Sequence, residues 1–302
     1  MMAEGEGLFR NELVEAGILV PTGTDGLYGR SATYESIVAG VDHLAVMAAA
    51  SEGTLSYRFP PVMPREVLER TGYLSSFPDL IGSVSTFTGD NEDHKQLMNV
   101  AESGGEWTAL LDAAGVSLCP AACHPLYPTL TGTQPAGGTR YDVAGWCYRH
   151  EPSIDPARMQ AFRMHELVYV GDEAGAREHR DRWLELGSDT LAALGLNIEI
   201  VVANDPFFGR AGRILANNQR AETLKYEIVT PIDSAERPTA IASSNCHLDH
   251  FGQPFGITSV DGEVAHSSCF GFGLDRIALA LLRTYGLEPR DWPPPTRQRL
   301  WP

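Results

Sequence analysis

The sequence predicts an α+β fold in which an antiparallel β-sheet is flanked by helices. Two observations favour it. Strand-like segments come mainly in runs rather than in strict alternation with helices, and the segments 146–151 and 161–171 are separated by a short irregular loop, as in a long hairpin. A composition that is 43% hydrophobic over 302 residues allows a substantial core, and we expect a single domain over residues 1–302.

Residues 1–50 are expected to form a helical extension, because apolar residues recur at helical spacing behind a suitable N-cap at Ser31. The next segment, "LSYRFPPVMPREVLERTGYLSSFP", predicts a strand broken by Pro60 and Pro61 and then a short helix begun by Pro64. Tandem prolines do not occur in a central ladder. This strand is therefore expected at a sheet edge or at an interface.

The second half of the chain predicts one long helix and several strands. The helix runs from Asp172 to Gly195, and strands follow at "NIEIVVA", "LKYEIVT" and "TAIASS". A last strand, from His266 to Phe270, leads into the terminal helix. The proline-rich end "PRDWPPPTRQRLWP" is expected to be a tail or a surface strap.

Charge and composition exclude several classes of protein. A net charge of −16 opposes the phosphate attraction on which most nucleic-acid-binding proteins depend. Apolar runs are too short for a signal peptide or a membrane span, so we expect a soluble, cytoplasmic protein. Five cysteines, an odd number, favour free thiols or metal ligands over a disulfide framework.

The segment "HSSCFGFGLDR" suggests an anion site. Gly271 and Gly273 would let a ligand approach backbone N–H groups where a strand turns into a helix, and Arg276 would follow one turn into that helix. A planar guanidinium can bind two phosphate oxygens at once. Alone, the pattern equally fits a tight turn followed by a surface arginine.

The hairpin carries a second set of residues suited to a nucleotide. Arg149 and Glu151 alternate on a presumed strand, hence on one face, and Phe162 offers a ring for stacking across the hairpin. Arg158 and Arg163 add positive charge. Together with the distant arginine, this pattern suits ATP bent back on itself, although surface ion pairs such as Arg149 with Glu151 would give the same pattern.

These segments together resemble the catalytic core of class II aminoacyl-tRNA synthetases. The resemblance narrows at "YRFPPVMPREVLERTGYLSSFP", "PAACHPLYP", "SSNCHLDHFGQPFGI" and "HSSCFGFGLDR", which are similar to amino acid:[carrier protein] ligases related to the zinc-containing, methanogen-type seryl-tRNA synthetases. The similarity covers roughly residues 50 to 285. Several linked motifs in the right order are more specific than any one of them.

The resemblance implies a catalytic zinc held by Cys123, Glu166 and Cys269, with an open fourth position for the amino group of the substrate. Cys119 and Cys123 could instead form a separate metal clip. Cys147 and Cys246 are expected in the core. Four histidines near the motifs could each replace a ligand and are expected to support a ligand or to pack: His124, His165, His247 and His266.

The resemblance also assigns the ATP site. Arg149 would bind the α-phosphate and Arg276 the γ-phosphate, while Phe162 would stack on adenine and Glu151 would accept from its amino group. Mg²⁺ is expected with the nucleotide, and Glu227 is the candidate carboxylate. The remaining residues expected to line the ATP site are Arg158, Gly271 and Gly273.

The implied reaction is ATP-dependent activation of a small amino acid, glycine or alanine, to an aminoacyl-adenylate. Transfer to the phosphopantetheine thiol of a carrier protein would follow, on a homodimer without a tRNA-binding domain and without tRNA or membrane as partners. Three alternatives stay open: a compact seryl-tRNA synthetase that charges tRNA through a partner, a catalytically silent paralogue with a regulatory role, and a structural zinc protein.

Overall fold

A computed structural model describes residues 8–205, 223–234 and 236–302. The described helices are α1 (Leu8–Glu15), α2 (Ala32–Ala50), α3 (Arg65–Arg70), α4 (Tyr73–Ser76), α5 (Asn91–Glu102), α6 (Glu173–Ala193), α7 (Gly252–Phe255), α8 (Leu274–Tyr285) and α9 (Pro294–Leu300). The described strands are β1 (Leu19–Pro21), β2 (Tyr28–Arg30), β3 (Leu55–Arg58), β4 (Val62–Pro64), β5 (Ser83–Thr86), β6 (Asp112–Leu118), β7 (Gly132–Thr133), β8 (Thr139–Tyr148), β9 (Ala161–Gly171), β10 (Glu199–Val202), β11 (Lys225–Thr230), β12 (Thr239–Leu248), β13 (Ile257–Thr258) and β14 (His266–Gly273). No described helix combines the length and the apolarity needed to cross a membrane.

A seven-stranded sheet in the order β10-β11-β12-β14-β9-β8-β3 forms the centre of the molecule. Its strands pair antiparallel except at one edge, where β3 runs parallel to β8. The predicted α+β fold with an antiparallel sheet is therefore confirmed. The predicted edge position of the proline-bearing segment is also confirmed, since β3 ends two residues before Pro60.

The two faces of this sheet have different partners because side chains alternate along each strand. Leu167 and Phe270 point to one face, where they join a core that includes Trp183 of α6 and the apolar residues of α2 and α8. Val168 and Cys269, one position away, point to the other face and join a second core. The second face is the one that carries the candidate site.

The two long helices begin where the sequence predicts. The Ser31 side chain accepts a hydrogen bond from the backbone N–H of Tyr34, and the Asp172 side chain accepts one from Gly175, so each cap satisfies a free N–H group of the first turn. The proline-rich end packs as a strap. Trp301 Nε1 lies 3.0 Å from Ser36 Oγ on α2.

Three local expectations need correction. Residues 1–50 are not wholly helical, because β1 and β2 form a hairpin between α1 and α2. Strand β8 ends at Tyr148, so Arg149 and Glu151 follow the strand instead of alternating on it; the chain turns there, with Glu151 N donating to Arg149 O at 2.8 Å. Strand β14 continues to Gly273, so Gly271 lies within a strand.

Candidate active site

Strand register places Glu166 and Cys269 on the same face of neighbouring strands. Glu166 of β9 pairs with Gly271 of β14, and Cys269 lies two residues earlier on β14. A side-chain period of two therefore turns both groups to the same face, and Cys269 Sγ lies 3.9 Å from Glu166 Oε1.

Cys123 reaches the same point from a different part of the chain. It lies in the turn segment after β6, and its backbone N–H donates to Glu166 Oε2 at 2.6 Å. The three residues are 3%, 3% and 4% exposed for Cys123, Glu166 and Cys269. The structure thus brings the three predicted ligands together in one buried place.

The acidic groups perturb one another strongly. Burial, reinforced by Cys269, raises the pKa of Glu166 to about 7. A hydrogen bond from the Cys123 thiol, assisted by His247 and Asn245, lowers the pKa of Cys269, whereas the same bond and burial raise the pKa of Cys123. Two cysteine side chains and one carboxyl group therefore share a water-poor site in which each changes the pKa of its neighbours.

The donor set fits a thiolate-binding cation, although the side chains are not arranged around one. Within residues 8–205, 223–234 and 236–302, no group of three or more His, Cys, Asp or Glu side chains could hold a metal ion as it stands. In their present rotamers Glu166 accepts a hydrogen bond from a backbone N–H, and the side chains of Cys123 and Cys269 are hydrogen-bonded to each other. Two sulfurs and a carboxylate, all buried, nevertheless match the ligand chemistry of Zn²⁺.

The separate clip formed by Cys119 and Cys123 is not favoured by the geometry. Cys119 Sγ donates to the carbonyl oxygen of Ala121 at 2.9 Å, and burial raises the pKa of this thiol to about 12. Cys147 and Cys246 are buried in the core, 2% and 4% exposed, as expected.

Two half-buried arginines form the second part of the site. Arg149 Nε donates to Pro120 O at 3.1 Å, and its guanidinium carbon lies 5.4 Å from the centroid of the Phe162 ring. Arg276 donates to the carbonyl oxygens of Ala157 and Ala240, at 2.8 and 3.0 Å. Among the residues that the structure describes, neither guanidinium lies within 4.0 Å of a carboxylate.

The positive charge of Arg149 affects the pKa of Arg276. Burial, followed by the positive charge of Arg149, lowers the pKa of Arg276. Two half-buried positive charges that bond only neutral carbonyl groups among the described residues are suited to binding an anion.

A small cavity opens beside the hairpin loop. It has a volume of about 470 Å³, and its lining includes Asp79, Glu151, Ser153 and Arg158. Glu151 pairs with Arg158, Oε2 to Nη1 at 3.3 Å, and the alternative ion pair of Glu151 with Arg149 is not formed. Glu151 and Arg158 therefore lie together beside this cavity.

Arg163 does not belong to this site, contrary to the expectation from sequence. The alternation along β9 turns it to the helix face, where it donates to Glu35 of α2 and lies 2.8 Å from Asp275 of α8. A neighbour in sequence, Phe162, points to the site face. One position along a strand separates a site residue from a structural one.

Glu227 faces the site but already has a partner. In the sheet it pairs with Ser243, which pairs with Gly271, so all three lie in the row that contains Glu166. Glu227 Oε1 is 3.1 Å from Lys225 Nζ. Lys225, which also binds Asp205, was not identified from the sequence.

Gly271 contributes space within a strand, whereas Gly273 lies where the strand turns into a helix, as predicted. A Cβ atom at Gly271 would lie 3.2 Å from Met164 Cε and 3.7 Å from Glu166 Oε1. The absence of a side chain at this position therefore leaves space beside Glu166. Gly273 is the N-cap of α8.

Two further polar residues lie near Cys269, of which sequence reasoning missed Asn245 and expected His247 to support a ligand or to pack. Asn245 Nδ2 lies 3.6 Å and His247 Nε2 3.5 Å from Cys269 Sγ. The signal that could have found them is the period-two series Ser243, Asn245, His247 on β12, polar on the site face of an otherwise apolar strand.

Comparisons with known proteins agree with the geometry. No family model matches the chain. Two curated relatives from Bradyrhizobium diazoefficiens are amino acid–[acyl-carrier-protein] ligase 1, 42% identical over 92% of this chain and 86% of the relative, and amino acid–[acyl-carrier-protein] ligase 2, 43% identical over 92% of this chain and 84% of the relative.

Solved structures show the fold. The M. kandleri seryl-tRNA synthetase in complex with A. aeolicus tRNASec is 24% identical, with a TM-score of 0.82, over 97% of this chain and 60% of that chain. The seryl-tRNA synthetase from Pyrococcus horikoshii complexed with ATP is 14% identical, with a TM-score of 0.68, over 92% of this chain and 58% of that chain. The fold is therefore that of the class II synthetase catalytic core.

Proposed function

The chain belongs to the family of amino acid–[acyl-carrier-protein] ligases, and from this premise we propose that it activates a small amino acid with ATP and transfers it to the phosphopantetheine thiol of a carrier protein. One observation carries the proposal. Two half-buried arginines without a carboxylate partner within 4.0 Å among the described residues belong to the same candidate site as the buried set Cys123, Glu166 and Cys269.

In the first half-reaction, a carboxylate oxygen of the amino acid would attack the α-phosphorus of ATP, and the bond to pyrophosphate would break. Such transfers need positioning and charge neutralisation more than covalent help from the protein. Arg149 would stabilise the charge that develops at the α-phosphate, and Arg276 would hold the γ-phosphate. Phe162 would stack on adenine, where Glu151 would accept a hydrogen bond from its amino group.

Cys123, Glu166 and Cys269 would hold Zn²⁺, which when bound would offer an open position to the primary amine of the substrate. Their burial supports this assignment, since thiolate and carboxylate charges at such a place need a cation. An amino group held by the ion would restrict the substrate to a primary amine. Glycine and alanine are the proposed substrates.

Mg²⁺ would accompany the nucleotide, and Glu227 stays the proposed carboxylate for it. Its contact with Lys225 would then have to loosen, because an ammonium group and a cation compete for the same oxygens. Contacts through water would avoid this competition.

The second half-reaction would need no nucleophile from the enzyme. The thiol of the carrier's phosphopantetheine arm would attack the carbonyl carbon of the adenylate, forming a thioester while AMP leaves. The names of both Bradyrhizobium relatives support a carrier protein as the acceptor. The net charge of −16 also disfavours a large polyanion such as tRNA.

The exposed edge strand β3 supports the proposal that the chain forms a homodimer. All four residues of β3 are exposed, including the apolar Leu55 and Tyr57, and an unpaired edge with apolar side chains is a surface that a second copy could cover.

The experiment is to incubate the purified chain with ATP, Mg²⁺ and radiolabelled glycine or alanine, and then with a holo carrier protein or with total tRNA in parallel. The proposal predicts label on the holo carrier, none on the apo carrier that lacks the thiol, and none on tRNA. Label on tRNA would favour the synthetase alternative. Absence of any adenylate would favour a silent paralogue.

A further inference from the structure

His247 reaches the buried thiol cluster without belonging to the predicted ligand set. Its Nε2 lies 3.5 Å from Cys269 Sγ, within hydrogen-bond distance of a sulfur acceptor. Its Nδ1 lies 3.1 Å from Ser267 Oγ, whose residue is 1% exposed. The ring also meets Phe251 edge-on, with centroids 5.0 Å apart. Three contacts therefore hold the imidazole in one orientation.

The backbone of β12 contributes to this orientation. The pairing of β12 with β14 shifts register between Cys246 and Leu248, so His247 is the extra residue of a β-bulge. Leu248 has a φ of 53°, which is unusual for a residue with a side chain. Bulges of this kind redirect a side chain next to functional sites.

The chemistry of the acceptor decides which nitrogen carries the hydrogen. As a ligand of Zn²⁺, Cys269 would be a thiolate without a hydrogen to donate, so Nε2 would be the donor in this contact. In a neutral ring Nδ1 is then the acceptor, and the Ser267 hydroxyl donates to it. The two hydrogen bonds, from Ser267 to His247 and from His247 to Cys269, thus run in the same direction.

We propose that His247 is a positioning residue, which donates a hydrogen bond to the thiolate of Cys269 and so sets the orientation and the donor strength of this sulfur toward Zn²⁺. The proposal rests on the zinc site of the proposed function and adds a residue to it. Hydrogen bonds to the ligands of a metal fix their orientation and tune the bound ion. Asn245, 3.6 Å from the same sulfur, is a second and weaker donor.

The test measures zinc affinity rather than activity. The full chain is stripped of metal under reducing conditions and titrated with Zn²⁺ against a chromophoric chelator, for the native protein and for His247→Ala, His247→Gln and His250→Ala. His250 is the matched control: its ring meets the same Phe251, with centroids 4.7 Å apart, but its Nε2 bonds Thr71 O at 3.0 Å.

The expected result is a loss of zinc affinity of about 10- to 100-fold for His247→Ala. His247→Gln, which keeps an N–H donor, should fall between this variant and the native protein, and His250→Ala should stay close to native. Cobalt substitution gives a second readout. Loss of the hydrogen bond raises the energy of the sulfur lone pair, so the thiolate-to-cobalt charge-transfer band should move to longer wavelength in His247→Ala.

Two results would overturn the inference. Native affinity and an unmoved cobalt band in His247→Ala would show that the contact has no effect on the metal. A change in the cobalt ligand-field bands to those of a site that has lost a ligand would show that His247 coordinates the ion itself. If the native chain bound no zinc, the metal site of the proposed function would fail as well, so the native titration separates the two failures.

Discussion

At the scale of single residues, the site depends on charges that the protein leaves without an opposite charge. Arg149 and Arg276 are half-buried and bond only carbonyl oxygens among their described contacts, which is costly unless a ligand supplies negative charge. Arg163 is instead paired with Glu35 and Asp275. This difference separates the two arginines proposed to bind ATP from an arginine with a structural role.

Replacing Arg149 with Ala is expected to slow amino acid activation about 10²- to 10³-fold, or roughly 3 to 4 kcal/mol, by analogy with the loss of one preorganised donor to a transition-state charge. The measurement is amino-acid-dependent exchange of pyrophosphate into ATP. Arg177→Ala, which removes an exposed arginine of α6, is the control and should keep native exchange. An Arg149→Ala enzyme within threefold of native would remove this residue from the mechanism.

At the scale of elements, the helix face is joined to the sheet by a buried ionic network. Asp275, in the first turn of α8, accepts from the backbone N–H of Arg163 at 2.6 Å and lies 3.3 Å from Arg30 Nε of β2. One carboxylate that is 2% exposed therefore holds three elements together.

Asp275→Asn should destabilise the fold by about 3 to 5 kcal/mol, because it leaves Arg163 and Arg30 partly buried without their common counter-charge. Urea denaturation at pH 7 measures this free energy. The control is Glu173→Gln, which removes an exposed i,i+4 pair with Arg177 and should cost at most about 0.5 kcal/mol. Equal losses in both variants would contradict the role given to Asp275.

Helix α6 packs on the sheet through a histidine that is held neutral. His179 Nδ1 lies 2.9 Å from Ser268 Oγ, and burial, with a smaller effect of Arg140, lowers the pKa of this imidazole to about 3. The unfolded chain takes up this proton near pH 6.5. The contribution to stability is therefore complete above pH 6.5 and is lost as the pH falls, by about 1.4 kcal/mol for each pH unit between these values.

Stability curves of the native protein and His179→Gln should accordingly converge on acidification. Between pH 7 and pH 4.5 the difference in unfolding free energy should shrink by about 2 to 3 kcal/mol, since carboxylates titrate alike in both proteins. Urea titrations across this range test it. Parallel curves would mean that folding does not lower the pKa of His179.

At the scale of the whole molecule, much of the fold follows from periodicity and from local signals. Alternating apolar residues predict the strands of the hairpin, and Ser31 and Asp172 mark the helix starts that the structure has. The convergence of Cys123, Glu166 and Cys269 was expected only from the resemblance to a family, because ligands from three distant segments leave no local pattern.

The errors have one physical cause, the exact register and end of each strand. Arg163 was placed in the site because a pattern of charges does not say which face a strand buries, and the long-range pairing with β14 decides it. Gly271 was assigned to a turn because glycine weakens a strand in isolation. The contact of His247 with Cys269 could not be located from the sequence, since a bulge is a property of two paired strands, not of one sequence segment.

The central claim is that one site holds an amine next to a chelating set of two cysteines and a glutamate while arginines bind ATP. The most direct measurement is pyrophosphate exchange over the twenty amino acids with native, zinc-stripped and zinc-restored protein. We predict exchange with glycine or alanine that is lost on stripping and returns with Zn²⁺. Exchange that is unchanged after complete removal of zinc would contradict the account.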